Sequence, residues 1–238
     1  GQGPALEIVM ETLGAAEASP EMKAAAIRGL ARTQGGAARI VAMARAGELT
    51  GTLPQAAALA ISASPWGDIR QAAADVLPLP QGRGGEKLPA LADLVKRSGS
   101  AEKGKAVFAG VGTCAKCHVV QGEGKMVGPD LSGIGAKLSR EALYESVLAP
   151  SAAISHNYEA WTALTKDGRA ITGLLVSKTP QQVVIRGADG VDATIDGNDL
   201  EELIRQPVSL MPADLASTLS AGELVDVIAW LETLRGQR

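Results

Sequence analysis

Residues 114–118 read Cys114-Ala115-Lys116-Cys117-His118, and they hold both cysteines and one of the two histidines of the chain. Two thiols at this spacing reach the two vinyl groups of one haem and form thioethers with them. The adjacent histidine then lies under the iron and donates a ring nitrogen. Attachment and proximal ligation come from one short unit, and thiols used this way are no longer redox-active. Rival readings compete with this one. A thioredoxin-like dithiol also uses Cys-x-x-Cys, but after a strand and at a helix start; here the segment before it, Ala101–Ala109, reads as helix. A zinc site needs four ligands. Two cysteines and two histidines make four, yet His156 stands 38 residues beyond His118, a spacing that matches no common finger. A chance match is the remaining reading. The haem reading fits the spacing of the two cysteines and the histidine directly after the second, so the expected cofactor is one haem c per chain.

Downstream stands Gly128-Pro129-Asp130-Leu131-Ser132-Gly133-Ile134-Gly135. It resembles the Gly-Pro-x-Leu-x-Gly segment of class I cytochromes c. The resemblance implies that the Pro129 carbonyl accepts a hydrogen bond from the second ring nitrogen of His118, which fixes the ring and raises its basicity. It also points to a sixth ligand. Class I cytochromes place a methionine beside a proline ahead of their last helix, and Met211 in Pro207-Val208-Ser209-Leu210-Met211-Pro212 fits. A thioether there favours the ferrous state. Met10, Met22 and Met43 read as packing residues, and Met126 is too near His118 to cross to the other haem face. His156 is the rival sixth ligand; otherwise it is a surface or haem-edge residue whose titration near neutral pH tunes the potential.

The composition sets bounds. The 238 residues suffice for one large or two ordinary domains, and 46% are hydrophobic, but only 3% are aromatic. A haem would supply part of the missing core volume. The net charge of -3 includes no basic run suited to nucleic acid. Residues 1–98 hold ten Lys/Arg and nine Asp/Glu, so the acidic excess lies beyond them, which favours a basic partner. Two neighbouring cysteines make no disulfide framework. No apolar run is long enough to cross a membrane, and no signal peptide is visible. The chain begins at Gly1, so the expectation is a processed or excised piece of something larger.

The first part reads as helices: Ala5–Leu13, Glu21–Thr33, Ala37–Ala46, Pro54–Ser62 and Asp68–Val76, broken by glycine and proline. Short amphipathic helices in series resemble a HEAT-like or other α-solenoid array; a plain helical bundle is the alternative. Leu77-Pro78-Leu79-Pro80-Gln81-Gly82-Arg83-Gly84-Gly85 marks a linker. Lys87–Arg97, Ala101–Ala109 and Arg140–Leu148 read as further helices. The period then changes. Glu159–Thr165, Ala170–Ser177, Gln182–Arg186 and Val191–Ile195 read as strands, punctuated by Lys166-Asp167-Gly168, Thr179-Pro180 and Ala188-Asp189-Gly190. Asp199–Ile204 reads as a short helix. Ala221–Leu234 closes the chain, with Ser220 and Glu223 as a capping box. The fold class is therefore mainly α: a helical-repeat region at 1–85, a linker and helix at 86–100, and a cytochrome c domain at 101–238 with an antiparallel insertion at about 157–197. Lengthening a loop in this way costs little closure entropy.

This layout resembles the C-terminal haem-binding domain of large planctomycete and verrucomicrobial proteins. The matching stretches are Cys114–His118, Gly128–Gly135, Leu148-Ala149-Pro150-Ser151, Tyr158-Glu159, Asp167-Gly168-Arg169, Gly173, Ser209–Pro212 and Leu219-Ser220. The resemblance implies a class I cytochrome fold with an extra hairpin sheet, behind a helical array and often a β-propeller dehydrogenase. The expected function is electron transfer from a dehydrogenase domain or redox partner through a haem edge near Cys114, Lys116 and Met211. An open-site haem enzyme or small-gas or peroxide binder, and a protein-binding scaffold with an accessory haem, are the alternatives. Haem c attachment implies a periplasmic or other extracytoplasmic location.

Overall fold

The computed structural model describes residues 3–236, so Gly1 lies outside the described residues. Helices α1 (Gly3–Gly14), α2 (Pro20–Leu30), α3 (Gln34–Arg45), α4 (Leu53–Ala63) and α5 (Gly67–Ala73) come first. Local chemistry starts them. The Ser19 hydroxyl accepts from Met22 N–H with Pro20 opening α2, and Thr33 accepts from Gly36 N–H at α3. Helix α4 is apolar on nearly every face, which requires partners on more than one side. Its Ala57, Ala58 and Ile61 join a core with Ile27, Ile40 and Ile69. Its Ala56 and Leu59 join a second core with Leu91, Leu148 and Ile228. Two hydrogen bonds fix the join: Gln55 Nε2 donates to Leu148 O at 3.0 Å, and Leu91 N–H donates to Ser62 Oγ at 2.7 Å.

The helix expected over Lys87–Arg97 is reduced to α6 (Leu91–Leu94). Pro89 has no N–H and holds its predecessor extended. Lys87 instead makes an isolated antiparallel bridge to Gln81.

Around the second core stand α7 (Ala101–Ala109), α8 (Ile134–Lys137), α9 (Arg140–Leu148) and α10 (Ala221–Thr233). The Ser220–Glu223 capping box is present as read. Helices α7 and α10 touch backbone to backbone at Gly104, where a methyl would sit 2.0 Å from Asp226 O. One turn on, Phe108 meets Trp230 with ring centroids 4.7 Å apart. A two-stranded hairpin, β1 (Val119–Val120) with β2 (Glu123–Gly124), follows His118. Gln121 and Gly122 turn it with φ of 53° and 86°, the left-handed pair such tight turns need.

A five-stranded sheet follows, made of β3 (Ala160–Thr165), β4 (Ala170–Lys178), β5 (Gln182–Arg186), β6 (Asp192–Asp196) and β7 (Leu200–Arg205), in spatial order β6-β5-β4-β3-β7. The short helix expected at Asp199–Ile204 is thus an edge strand paired antiparallel with β3. Leu200 and Leu203 stand three apart, a helical spacing. The register shifts between Leu164 and Thr165, so Thr165 pairs with Leu200 and Ala163 with Leu203. That bulge puts two leucines three apart on one face of a strand.

The fifth strand also changes the shape. Four chain steps from Asp196 to Leu200 span at most about 14 Å. Edge strands of a flat five-stranded sheet lie about 19 Å apart. The sheet therefore curls until β6 and β7 approach each other, and Ala163, Val183, Ile185 and Ile195 are buried as its own small core.

Candidate haem site

One turn of chain arranges the motif. Cys117 N–H and His118 N–H both donate to Cys114 O, at 3.0 and 2.9 Å. Residues three and four apart on such a turn face the same way, so Cys114, Cys117 and His118 all line a single cavity of about 390 Å³. The cysteines are free thiols and are not paired with each other. Burial pushes the Cys114 thiol up to about 11, and the neighbouring Cys117 adds to the rise.

His118 Nδ1 lies 2.8 Å from Pro129 O. A carbonyl only accepts, so Nδ1 carries the proton and Nε2 keeps its lone pair. Burial lowers the His118 pKa, against the opposing hydrogen bond to Pro129, so the ring is neutral at neutral pH, the form that binds a metal. The loop carrying Pro129 is held by two amides, Val127 and Gly128, both donating to Cys117 O at 3.0 and 2.6 Å. Gly128 lies flat against the imidazole; a methyl there would sit 2.5 Å from His118 Cε1.

Met211 lines the same cavity and is half-buried. Its loop is tied to the segment after α9. Ser209 N–H donates to Ser151 Oγ at 3.0 Å, and Met211 N–H donates to Ser209 Oγ at 3.1 Å. The other four methionines are outside the lining, and Met126 is 72% exposed. His156 is outside it too. Its side chain is 88% exposed and its Nδ1 stands 3.7 Å from a Glu159 carboxylate oxygen.

The rest of the lining is mostly apolar, with Leu138 just after α8, Leu143 and Val147 of α9, Leu174 of β4 and Ala188 of the β5–β6 turn, while Lys116, Ser146, Ser155 and Tyr158 add polar groups. Residue types alone did not single out Gly128, Ser151 or the two sheet residues. Gly128 carried a usable signal, since a glycine directly before a carbonyl partner invites close approach to the ring. The others depend on contacts between distant parts of the chain. A cavity with two thiols, an oriented neutral imidazole, a thioether and apolar walls suits a haem.

Residues 101–173 match the model of the family described as Cytochrome c. The chain therefore carries a c-type cytochrome domain, of the haem-binding, electron-transferring class, and its cofactor is covalently bound haem c with iron. The matched stretch contains Cys114–His118 and Pro129 and ends inside β4; Met211 lies beyond it. A comparison with curated proteins gave no match. Among the described residues, no helix is long and apolar enough to cross a membrane.

Proposed function

We propose that this chain is an electron carrier whose single haem c is bonded through Cys114 and Cys117 and ligated by His118 and Met211. One observation carries the reading: two thiols, an imidazole and a thioether line the same apolar cavity, with His118 Nδ1 engaged by Pro129 O at 2.8 Å. The bound haem supplies a one-electron couple. The protein's residues do the rest. Pro129 orients His118 and raises its basicity, apolar walls keep water from the site, and Met211 favours the reduced state. Lys116 lines the cavity and belongs to the rim met by a redox partner. Such an encounter is small and transient. The exposure of His156 supports Met211 as the sixth ligand. Among the described residues, the lining holds no second histidine and no arginine that would serve peroxide chemistry, which supports a carrier over an open-site enzyme.

The wider reading has a HEAT-like array at 1–85, a connecting segment at 86–100 and the cytochrome unit at 101–238. It is of the planctomycete and verrucomicrobial type, receives electrons from a fused or separate dehydrogenase, and works outside the cytoplasm, where haem c is attached. The pyridine haemochrome spectrum tests the attachment. A two-thioether spectrum in the wild type and a one-thioether spectrum in Cys114→Ala are expected. Haem that acid–acetone extracts from the wild type contradicts it.

A further inference from the structure

The inserted sheet reaches the haem site through the turn between β5 and β6. Arg186, the last residue of β5, grips Asp192, the first of β6, by two contacts: Nε to Oδ1 at 2.7 Å and Nη2 to Oδ2 at 2.9 Å. The free edge of that guanidinium then donates from Nη1 to the Met126 carbonyl at 3.3 Å. Beside it, Lys125 Nζ donates to Asp189 O at 3.4 Å. Gly190 lies against the buried Val127, where a methyl would stand 3.5 Å from Val127 Cγ2. Leu174 and Ala188 complete the contact by lining the cavity directly.

Met126 and Val127 lead straight into Gly128, which lies on the His118 ring, and Pro129, which holds its Nδ1. A continuous path therefore runs from the β5–β6 turn to the imidazole. An exposed ion pair adds little stability by itself. Its use here is geometric. A guanidinium fixed by a bidentate carboxylate cannot rotate away, so its remaining donor is presented in one direction.

We infer that Arg186, oriented by Asp192, is a positioning residue that clamps the inserted sheet onto the 125–129 loop and makes the sheet a water-excluding wall beside His118. The inference deepens the ligation proposed above and rests on His118 being the proximal ligand. It gives the insertion a role in the redox site, since access of solvent to the shell around a metal sets its potential.

The test is hydrogen exchange by NMR on the full-length ferrous holoprotein, comparing wild type with Arg186→Gln and Asp192→Asn. Loss of a hydrogen bond from a charged donor corresponds to about tenfold faster opening. That rise is expected at the Val127 and Gly128 amides and the His118 Nδ1 proton, in both variants, with no change at Leu224–Ile228 of α10. The haem reduction potential of both variants should shift as well. Unchanged exchange at Val127 and Gly128, or a rise shared equally by α10, overturns the clamp. The ligation is read separately, from the optical spectrum of the same wild-type sample, so the two readings fail independently.

Discussion

Ser209 donates its backbone N–H to the buried hydroxyl of Ser151 at 3.0 Å, across 58 residues of chain. The bond ties the segment before the five-stranded sheet to the segment after it. Ser151 follows α9, and Ser209 sits two residues before Met211 and accepts its amide hydrogen. The methionine loop thus returns to the haem cavity at a defined point although a whole sheet has been built between.

Ser151→Ala leaves the Ser209 amide without that partner. A half-buried amide left unpaired costs about 1–3 kcal/mol. With Met211 as the proposed sixth ligand, its displacement should then be easier, and the ferric holoprotein should bind imidazole about tenfold more tightly. Optical titration checks this. An unchanged imidazole affinity would show that the serine tie does not hold the loop.

Gly128→Ala places a methyl where 2.5 Å separates it from His118 Cε1 and 2.8 Å from Nδ1. The ring must shift away from Pro129 O. We expect a loss of about 1–3 kcal/mol in unfolding free energy together with a changed reduction potential. Thermal unfolding and potentiometric titration on the same preparation measure both.

Two further glycines separate space from conformation. Gly104→Ala drives a methyl to 2.0 Å from Asp226 O between α7 and α10, and should destabilise by about 3 kcal/mol. At Gly29 in α2 nothing lies within 4 Å of the added methyl. Gly29→Ala should stabilise by about 0.5–1 kcal/mol through the lower entropy of the unfolded chain. Denaturant midpoints of the two variants should move in opposite directions.

The capping box gives a pH dependence. The Ser220 backbone N–H, with Arg83 and the Ser220 hydroxyl adding to it, holds the Glu223 carboxyl below its ordinary range against the opposing effect of burial. The unfolded state therefore binds the proton more readily. The stabilisation is fully present above the unfolded value of about 4.3 and is lost as pH falls through the folded value. Stability measured from pH 7 down to 3 should fall less steeply in Glu223→Gln than in the wild type. Ser220→Ala should cost about 1 kcal/mol at neutral pH.

Much of the site is legible in the chain because its chemistry is local. Cys114, Cys117 and His118 share one turn, and Pro129 lies only eleven residues beyond His118 at the bond it makes. Strands β3 to β6 announce themselves by alternation and Asp-Gly turns. The misread elements fail for identifiable reasons. Leu200-Glu201-Glu202-Leu203 has helical spacing and helix-favouring residues, and only the free edge of β3, with a bulge opposite Thr165, turns it into a strand. Lys87–Arg97 has the composition of a helix, but Pro89 holds Leu88 extended and the helix starts only at Leu91. The curl of the sheet, the Ser151–Ser209 tie and the Arg186–Met126 contact join residues tens of positions apart, and no local pattern marks them.

The iron–methionine charge-transfer band in the ferric absorption spectrum decides whether Met211 ligates the haem iron. The wild-type holoprotein should show the band. Met211→Ala should lose it while keeping a two-thioether pyridine haemochrome spectrum, and His156→Ala should keep both. A Met211→Ala protein that retained the band would contradict the assignment of His118 and Met211 as the two axial ligands.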